Sequence, residues 1–354
     1  FDEAYYLASA GATNPVILTE AEYRRQYTRA LYLTGYLNYN LLKNVTFRST
    51  VGFDNASVRS DLFYSKITST ARNFASLPVA SIGQQKNHTL TNSNTLQWAV
   101  TNYKDRHDFS ILAGQEVGET MSNQNTMETR YFPSDITPEK ALANMQLGSA
   151  PTGTTNPPSG VRSFEERPAR IASFFGRTSY SLDDKYLFNF NLRADRSSKF
   201  SSENGTLVFP SGSLAWRFSK EKFFDKVKWI NDGKLRFGYG SVGNNRIGNL
   251  LYQQLYGVTG QYAFNHSIVP GFAPSALSNP DLRWEKNITR NLGLDLSLFR
   301  NKLQLTVDAY KNTADDLLLA VAIPPTTGYT TQLQNIGATS NRGIEIQLST
   351  TPYS

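Results

Sequence analysis

Charge at alternate positions is the first chemistry that the sequence offers. Arg48, Arg193, Asp195, Arg217, Arg236, Asp295, Asp308 and Glu345 stand in stretches where polar and large apolar residues take turns. Period-two spacing puts such charges on one face of a strand and the apolar side chains on the other. Tyr252, Tyr256, Tyr262, Phe264 and Trp284 fall in a long connection and offer aromatic stacking surfaces or loop packing. Other motifs are weaker. Gly238-Tyr239-Gly240-Ser241-Val242-Gly243 matches G-x-G-x-x-G, but NNRIGN follows it. A dinucleotide site needs a helix there to bring its N-terminus to the pyrophosphate, so the pattern reads as a Gly-rich strand end. His88, His107 and His266 lie in separate loops or turns without metal-ligand spacing, and no G-x-S-x-G occurs; no cofactor or metal follows. Asp183-Asp184 and Asp315-Asp316 are adjacent pairs, and neighbours on a strand point to opposite faces, so they make poor acid/base partners. They read as a solvated turn and a loop mouth.

The elements that carry these residues are strands. Tyr186, Phe188, Phe190 and Leu192 alternate with Asn189, Asn191, Arg193 and Asp195. Alternation begins at Leu31, Leu33, Leu37 and Tyr39, and passes LLKN to Val45, Phe47, Val51 and Phe53, which makes a hairpin. After a polar stretch to about residue 87, Leu96, Trp98 and Val100 lead through the turn NYKDRH to Phe109, Ile111, Ala113 and Val117. The longest connection, about 119 to 167, holds a short helix capped by Thr137 with Pro138 first in it. A helix is expected from Thr19, which has capping-box spacing to Glu22, and a helical turn capped by Ser219 within SKEKFFDKVKWINDG. Residues 243 to 286 form another long loop. Ile288, Leu292, Leu294, Leu296 and Leu298 define the next strand, Arg300-Asn301 turns the chain into Leu303, Leu305 and Val307, and Ile344, Ile346 and Leu348 close the series.

About eleven spans result, and their connections alternate short and long. That sorting is the mark of an outer-membrane barrel with tight periplasmic turns and long outer loops. The expected fold is therefore all-β, a transmembrane antiparallel β-barrel. No run approaches the roughly 18 apolar residues of a spanning helix; Leu317 to Ile323 is the longest. A barrel escapes that test, because only alternate residues meet lipid. Charge on the lipid face would cost about 2–4 kcal/mol near the midplane, so the eight charged residues are expected to face the lumen. The 19 Tyr, 21 Phe and 4 Trp suit interfacial girdles. Cysteine is absent, which excludes disulfides and thiolate metal sites. The +7 net charge is scattered singly rather than gathered in a patch, which speaks against nucleic acid. FDEAYYLASAGATNP lacks the basic start and apolar core of a signal peptide, so the chain is expected to be cytosolic or to begin internally. A soluble β-sandwich that binds glycan also shows period two, and an embedded hydrolase needs no sequence-adjacent triad; both stay open on the residues alone.

Several separated pieces resemble the TonB-dependent outer-membrane transporters of the SusC/RagA type: FFGRTSYSLDDKYLFNFNLRADRSSKF, FPSGSLAWRFSKEKFF, KLRFGYGSVGNN, NPDLRWE, LGLDLSLFRNKLQLTVDAYKNTADDLL and NIGATSNRGIEIQL. They follow the family's order from Ala172 to Leu348, and LTGYLNYNLLKNVTFRSTVGFD is similar. Arg196 departs from a usual Gly, and Ser241-Val242-Gly243 from a usual Thr-Gly ending, both toward loops. The resemblance implies a Gram-negative outer-membrane importer rather than an enzyme, with a plugged barrel of about 22 strands. It further implies energy received through a TonB box, a SusD-like surface lipoprotein as lid, and oligosaccharide or oligopeptide cargo. On that reading residues 1–354 belong to one barrel domain, while plug, TonB box and signal peptide lie outside the chain. The lumenal charges would then brace a plug or touch cargo.

Overall fold

The computed structural model describes residues 15–351. A helix α1 (Pro15–Ala21) leads into β1 (Glu22–Leu42), β2 (Val45–Tyr64), β3 (Val79–Tyr103) and β4 (His107–Thr129), with α2 (Ser69–Arg72) between β2 and β3. After α3 (Pro138–Ala143) come β5 (Ser159–Glu165), β6 (Ala169–Leu182), β7 (Tyr186–Ser197), β8 (Thr206–Trp216) and β9 (Ile230–Asn244). A ribbon of β10 (Tyr256–Phe264) and β11 (Ser267–Pro274) precedes β12 (Glu285–Leu298) and β13 (Leu303–Asp315). A second ribbon, β14 (Leu318–Ala322) and β15 (Thr331–Asn335), precedes β16 (Ala338–Thr350).

Eleven strands pair in the order β1-β2-β3-β4-β6-β7-β8-β9-β12-β13-β16, and β5 attaches to β4 off that path. Apart from β5 and the two ribbons, neighbours in sequence are neighbours in the sheet. A Greek-key sandwich would cross over, so the meander rejects the soluble alternative. Among the described residues the sheet is open, ending at β1 and β16. Its connections sort by side. Residues 43–44, 104–106, 183–185, 217–229 and 299–302 lie at one end, and 65–78, 130–168, 198–205, 245–284 and 316–337 at the other. One inversion of length occurs, since 217–229 on the short side exceeds 198–205 on the long side.

The sheet is oily on the outside of its own packing. In β7 the apolar Phe188 and Phe190 are 39% and 42% exposed, while Asp195 is 8% exposed. Register continues this across strands: Phe188 pairs with Leu214, Leu214 with Phe237, and Phe237 with Leu292. The opposite face aligns Arg236 with Gly293, Gly293 with Asp308, and Asp308 with Glu345.

Several local expectations change. Helix α1 ends at Ala21 rather than starting at Thr19, whose hydroxyl donates to the Val16 carbonyl at 2.6 Å; the alternating residues after Glu22 pair as strand instead. The polar stretch before residue 87 is strand too, because β2 and β3 run 20 and 25 residues, and His88 lies within β3. Such lengths exceed the roughly 9–11 residues that cross a membrane. Ser219 caps no helical turn; 217–229 holds 3₁₀ turns at Phe218–Lys220 and Lys222–Phe224, and the Ser219 hydroxyl donates to Asp232. Residues 243–286 are organised by the β10–β11 ribbon. Thr137 caps α3 as expected, accepting from the Lys140 N–H.

Contacts group into two compact units. One takes residues up to Thr34, Gly52–Leu90 and Thr120–Pro168, and the other Gly35–Val51, Thr91–Glu119 and the chain from Ala169. The first packs Phe63 and Ala80 with Phe132, Ala141 and Met145. The second packs Phe200, Phe209, Leu282 and Trp284. Gly243 permits that second core, since a Cβ there would clash with the Phe209 ring and stand 2.9 Å from the Trp284 ring. Trp284→Ala should cost that loop core about 3–5 kcal/mol. Hydrogen exchange checks this: protection should fall in 245–284 and persist in β7, β8 and β9.

Candidate functional site

The polar face of β4, β6, β7, β9, β12 and β13 gathers the charged residues into discrete clusters. Arg193 is the hub of one. Its guanidinium donates to Asp195 at 2.7 Å, Glu116 at 3.0 Å and the Ser173 hydroxyl at 2.8 Å. It also lies over the Phe175 ring, 5.4 Å from the centroid. Three acceptors and a π face satisfy a planar fork that bears a fixed charge. Beside it is a cavity of about 500 Å³ lined by Phe175, Arg177, Asn191, Arg193, Asp195 and Ser211 among others.

Arg236 is the hub of the second cluster. It grips Asp295 through two hydrogen bonds of 2.8 and 2.9 Å and reaches Asp308 at 3.2 Å. Lys234 adds a contact to Asp295 at 3.1 Å, and the Thr306 hydroxyl donates to the same carboxylate. Gly293 faces this group because there is no room for more. A Cβ there would approach Asp308 Oδ1 to 2.6 Å and Arg236 Cζ to 2.7 Å.

The third cluster belongs to the short turns. Asp183 and Asp184 both take φ of 53°, the left-handed region that the middle of a tight hairpin turn uses, and the Lys185 N–H donates to the Leu182 carbonyl at 2.9 Å. Arg106 of the neighbouring turn clasps Asp183 through contacts of 2.7 and 2.8 Å. Arg217 donates to Asp184 at 2.5 Å, and Lys220 also bonds that carboxylate. Glu221 accepts from the Tyr186 hydroxyl at 2.6 Å and from the Trp216 indole at 3.3 Å. These donors hold all three carboxyls below their ordinary range: Arg106 for Asp183, Lys220 foremost for Asp184, and Tyr186 foremost for Glu221.

Arg217 is thereby relocated. Strand β8 ends at Trp216, so Arg217 braces a turn rather than a strand face, with its Nε 3.6 Å from Asp232. Arg48 stands apart from the clusters, over the Tyr36 ring at 4.3 Å and beside the Thr50 hydroxyl. Glu345 lies opposite Asp308 in register, and among the described residues it joins no ion pair. Like charges directly opposite repel.

The aromatic group divides. Tyr256, Tyr262 and Phe264 project from the β10–β11 ribbon, 67%, 55% and 67% exposed, with Tyr262 and Phe264 edge to face. Tyr252 is half-buried just before the ribbon, its hydroxyl bonded to Gln253. Trp284 is not a stacking surface. It is buried between Phe200 and Phe209, and its indole N–H donates to the Gly205 carbonyl at 2.9 Å. His107 bonds the Tyr180 hydroxyl, and His88 stacks on Phe53. Sequence reasoning missed Glu116, Ser173 and Lys234. Glu116 had a signal: it falls at the polar parity opposite Ile111 and Val117 on β4.

A family model described as TonB dependent receptor-like, beta-barrel matches residues 2–354. The chain belongs to that family. TonB-dependent receptor P39 of Formosa agariphila is 30% identical over 99% of this chain and 32% of its own length. TonB-dependent receptor SusC of Bacteroides thetaiotaomicron is 39% identical over 51% of this chain and 18% of its own. The RagAB peptide transporter structure superposes with a TM-score of 0.78 at 26% identity, covering 98% of this chain and 37% of that one. The siderophore receptor PiuA of Acinetobacter baumannii, 12% identical with a TM-score of 0.54, shares the fold. This section of a SusC/RagA-type barrel thus spans about a third of the curated relative P39. Barrels of this family lie in the outer membrane of Gram-negative cells.

Two measurements check the clusters. Arg236→Gln leaves Asp295 with Lys234 and the Thr306 hydroxyl and strips Asp308 of its cation. It should destabilise the folded barrel by about 1–3 kcal/mol, the range for charged hydrogen bonds reduced by partial exposure, read as a lower thermal midpoint. The depressed carboxyls at the turns contribute stability above the ordinary carboxylate range near about 4. That contribution is lost as pH falls through their lowered values. Wild type should therefore lose thermal stability on acidification more steeply than Asp184→Asn.

Proposed function

We propose that this chain is a wall section of an outer-membrane active transporter that imports oligosaccharides or oligopeptides. Uptake is energised through the TonB complex, and a SusD-like surface lipoprotein acts as lid. One observation carries the reading: apolar side chains are exposed on one face of the sheet while paired charges occupy the other. In a soluble protein that arrangement would expose large apolar patches to water. In a bilayer it puts Phe190 and Leu294 toward hydrocarbon and the charge toward an aqueous interior.

On this reading the edges of β1 and β16 continue into the remaining wall strands of a longer protein, because unpaired backbone groups in lipid cost several kcal/mol each. Arg193, Asp195, Arg236, Asp295, Asp308, Arg48 and Glu345 face the lumen. The first five are already engaged with one another and with Glu116 and Lys234, so they form a braced surface for a plug more than free cargo ligands. Glu345 and Arg48 keep free capacity for plug or cargo. Tyr256, Tyr262 and Phe264 lie at the long-connection end, where cargo arrives, and present flat faces suited to sugar rings or peptide side chains. Peptide transport by RagAB supports the oligopeptide branch, and the name SusC supports relatedness to the type.

The test uses the full-length receptor in its own cells, supplied with oligosaccharides or oligopeptides as sole nutrient. Uptake should vanish on deletion of the receptor or of TonB. The Tyr256→Ala, Tyr262→Ala, Phe264→Ala triple variant should need roughly tenfold more cargo for the same uptake, at unchanged barrel yield. Uptake that survives loss of TonB would sink the transport reading.

A further inference from the structure

Within the first compact unit, strands β1, β2 and β3 carry the same sequence of surfaces along one face. Parity fixes that face. Gly83 and Ser60 stand together, a Cβ on Gly83 lying 3.9 Å from Ser60 Cβ, so both belong to one side of the sheet. Phe53 and His88 stack across the same two strands on the other side. Arg24 lies over the Tyr64 ring on the Ser60 side, which leaves odd positions of β1 on the Phe53 side.

Along the Phe53 side, the long-connection end begins with packed apolar residues: Tyr23 in β1, Phe63 in β2, Ala80 and Ile82 in β3. Next comes a polar concavity of about 520 Å³. Strand β1 gives it Tyr27 and Arg29, β2 gives Arg59 and Asp61, and β3 gives Gln84 and Lys86. After it come exposed apolar residues, Leu31 and Leu33 in β1 and Leu90 in β3, with Phe53 in β2. In each strand the apolar residues follow the polar ones towards the short-turn end, directly after Arg29 in β1, past Ser57 and Asn55 in β2 and past His88 in β3. Leu31 follows Arg29 by two residues, about 7 Å along a strand.

The charge of the concavity is three cations against one anion. Arg59 is engaged with Asp61 at 2.7 Å. Among the described residues no carboxylate pairs with Arg29 or Lys86, and both side chains are exposed. Cations on the hydrocarbon-facing side of a barrel are costly near the midplane, and the cost falls to about 0–1 kcal/mol near the interface. A basic hollow directly beside exposed leucines meets both parts of a phosphorylated amphiphile, the anionic headgroup and the acyl chain below it.

We propose that this hollow binds the phosphorylated headgroup of a lipid in the leaflet facing the long connections, with Arg29 and Lys86 holding phosphate and Leu31, Leu33 and Leu90 flanking the acyl chains. The proposal rests on the reading of the apolar face as lipid-facing and of the long connections as the outer side. It concerns residues of the first compact unit and uses none of the lumenal charges or ribbon aromatics. Arg59, held by Asp61, lends its charge without needing to move.

Full-length receptor in detergent is titrated with diphosphorylated lipid A, with its dephosphorylated counterpart and with inorganic phosphate, and bound lipid is counted by native mass spectrometry. Wild type should retain the diphosphorylated lipid, and R29Q/K86Q should bind it about 30-fold more weakly, as expected for two cations near a charged leaflet. The charge-preserving R29K/K86R should keep most of the affinity, and a heat-shifted gel band confirms that each variant folds. Equal binding by wild type and R29Q/K86Q overturns the proposal. So does equal retention of the dephosphorylated lipid, or displacement by millimolar inorganic phosphate, which marks a free-anion site. Protection of Lys86 from chemical labelling by the surface lipoprotein alone, with no lipid effect, overturns it in favour of a protein contact. Nutrient uptake is measured on the same variants; lipid binding equal to wild type with TonB-dependent uptake intact is a failure of this proposal alone, whereas TonB-independent uptake is a failure of the transport reading.

Discussion

Hydrocarbon has no partner for a backbone N–H or C=O, and the rest of this molecule follows from that requirement. A sheet that spans such a medium must pair every strand with its neighbours, and a meander does so with the least chain. The unbroken order from β1 through β16, with ribbons and β5 kept off the path, is the consequence. Side chains then obey the same medium. Phe188, Leu214, Phe237 and Leu292 form a continuous oily row because each occupies the same parity in registered strands. The charged positions have only the other face left to them.

That second face would be unfavourable if its charges stood alone. Arg193 collects Asp195 from its own strand and Glu116 from β4, and Arg236 collects Asp295 from β12 and Asp308 from β13, so the polar face is held by hydrogen-bonded forks rather than by isolated ions. Arginine suits the role because its planar donors reach two carboxylates at once. Glycine completes the arrangement where space is shortest. Gly293 leaves room for Arg236 to reach across β12 to Asp308, a contact no larger residue would allow without displacement.

The connections behave differently at the two ends. Short turns are fixed by local chemistry, with Asp183 and Asp184 accepting positive φ and then serving as acceptors for Arg106, Arg217 and Lys220. Long connections are fixed by burial. In the second unit Trp284, Phe200 and Phe209 anchor them to the sheet, and in the first Phe132 and Met145 do so. Long segments that build cores of their own can present aromatic ribbons at stable positions, which a bare flexible loop cannot do.

The sequence by itself determined the strand class, the count of eleven spans, the sides of the turns and the face on which Arg193, Asp195, Arg236, Asp295 and Asp308 stand. All of these depend on period two and on turn residues, which are local properties legible along one chain. The tertiary structure alone decided which charges meet. Glu116 joins Arg193 across 77 positions and Asp308 joins Arg236 across 72, separations that register sets and periodicity does not reveal. It also decided that Trp284 is a buried anchor and that Arg217 braces a turn, since burial depends on what folds over a residue. The strand lengths of β2 and β3 were hidden for a related reason. Beyond the bilayer both faces of a strand are polar or covered by loops, so the alternation that marks a strand in lipid fades while the backbone pairing continues.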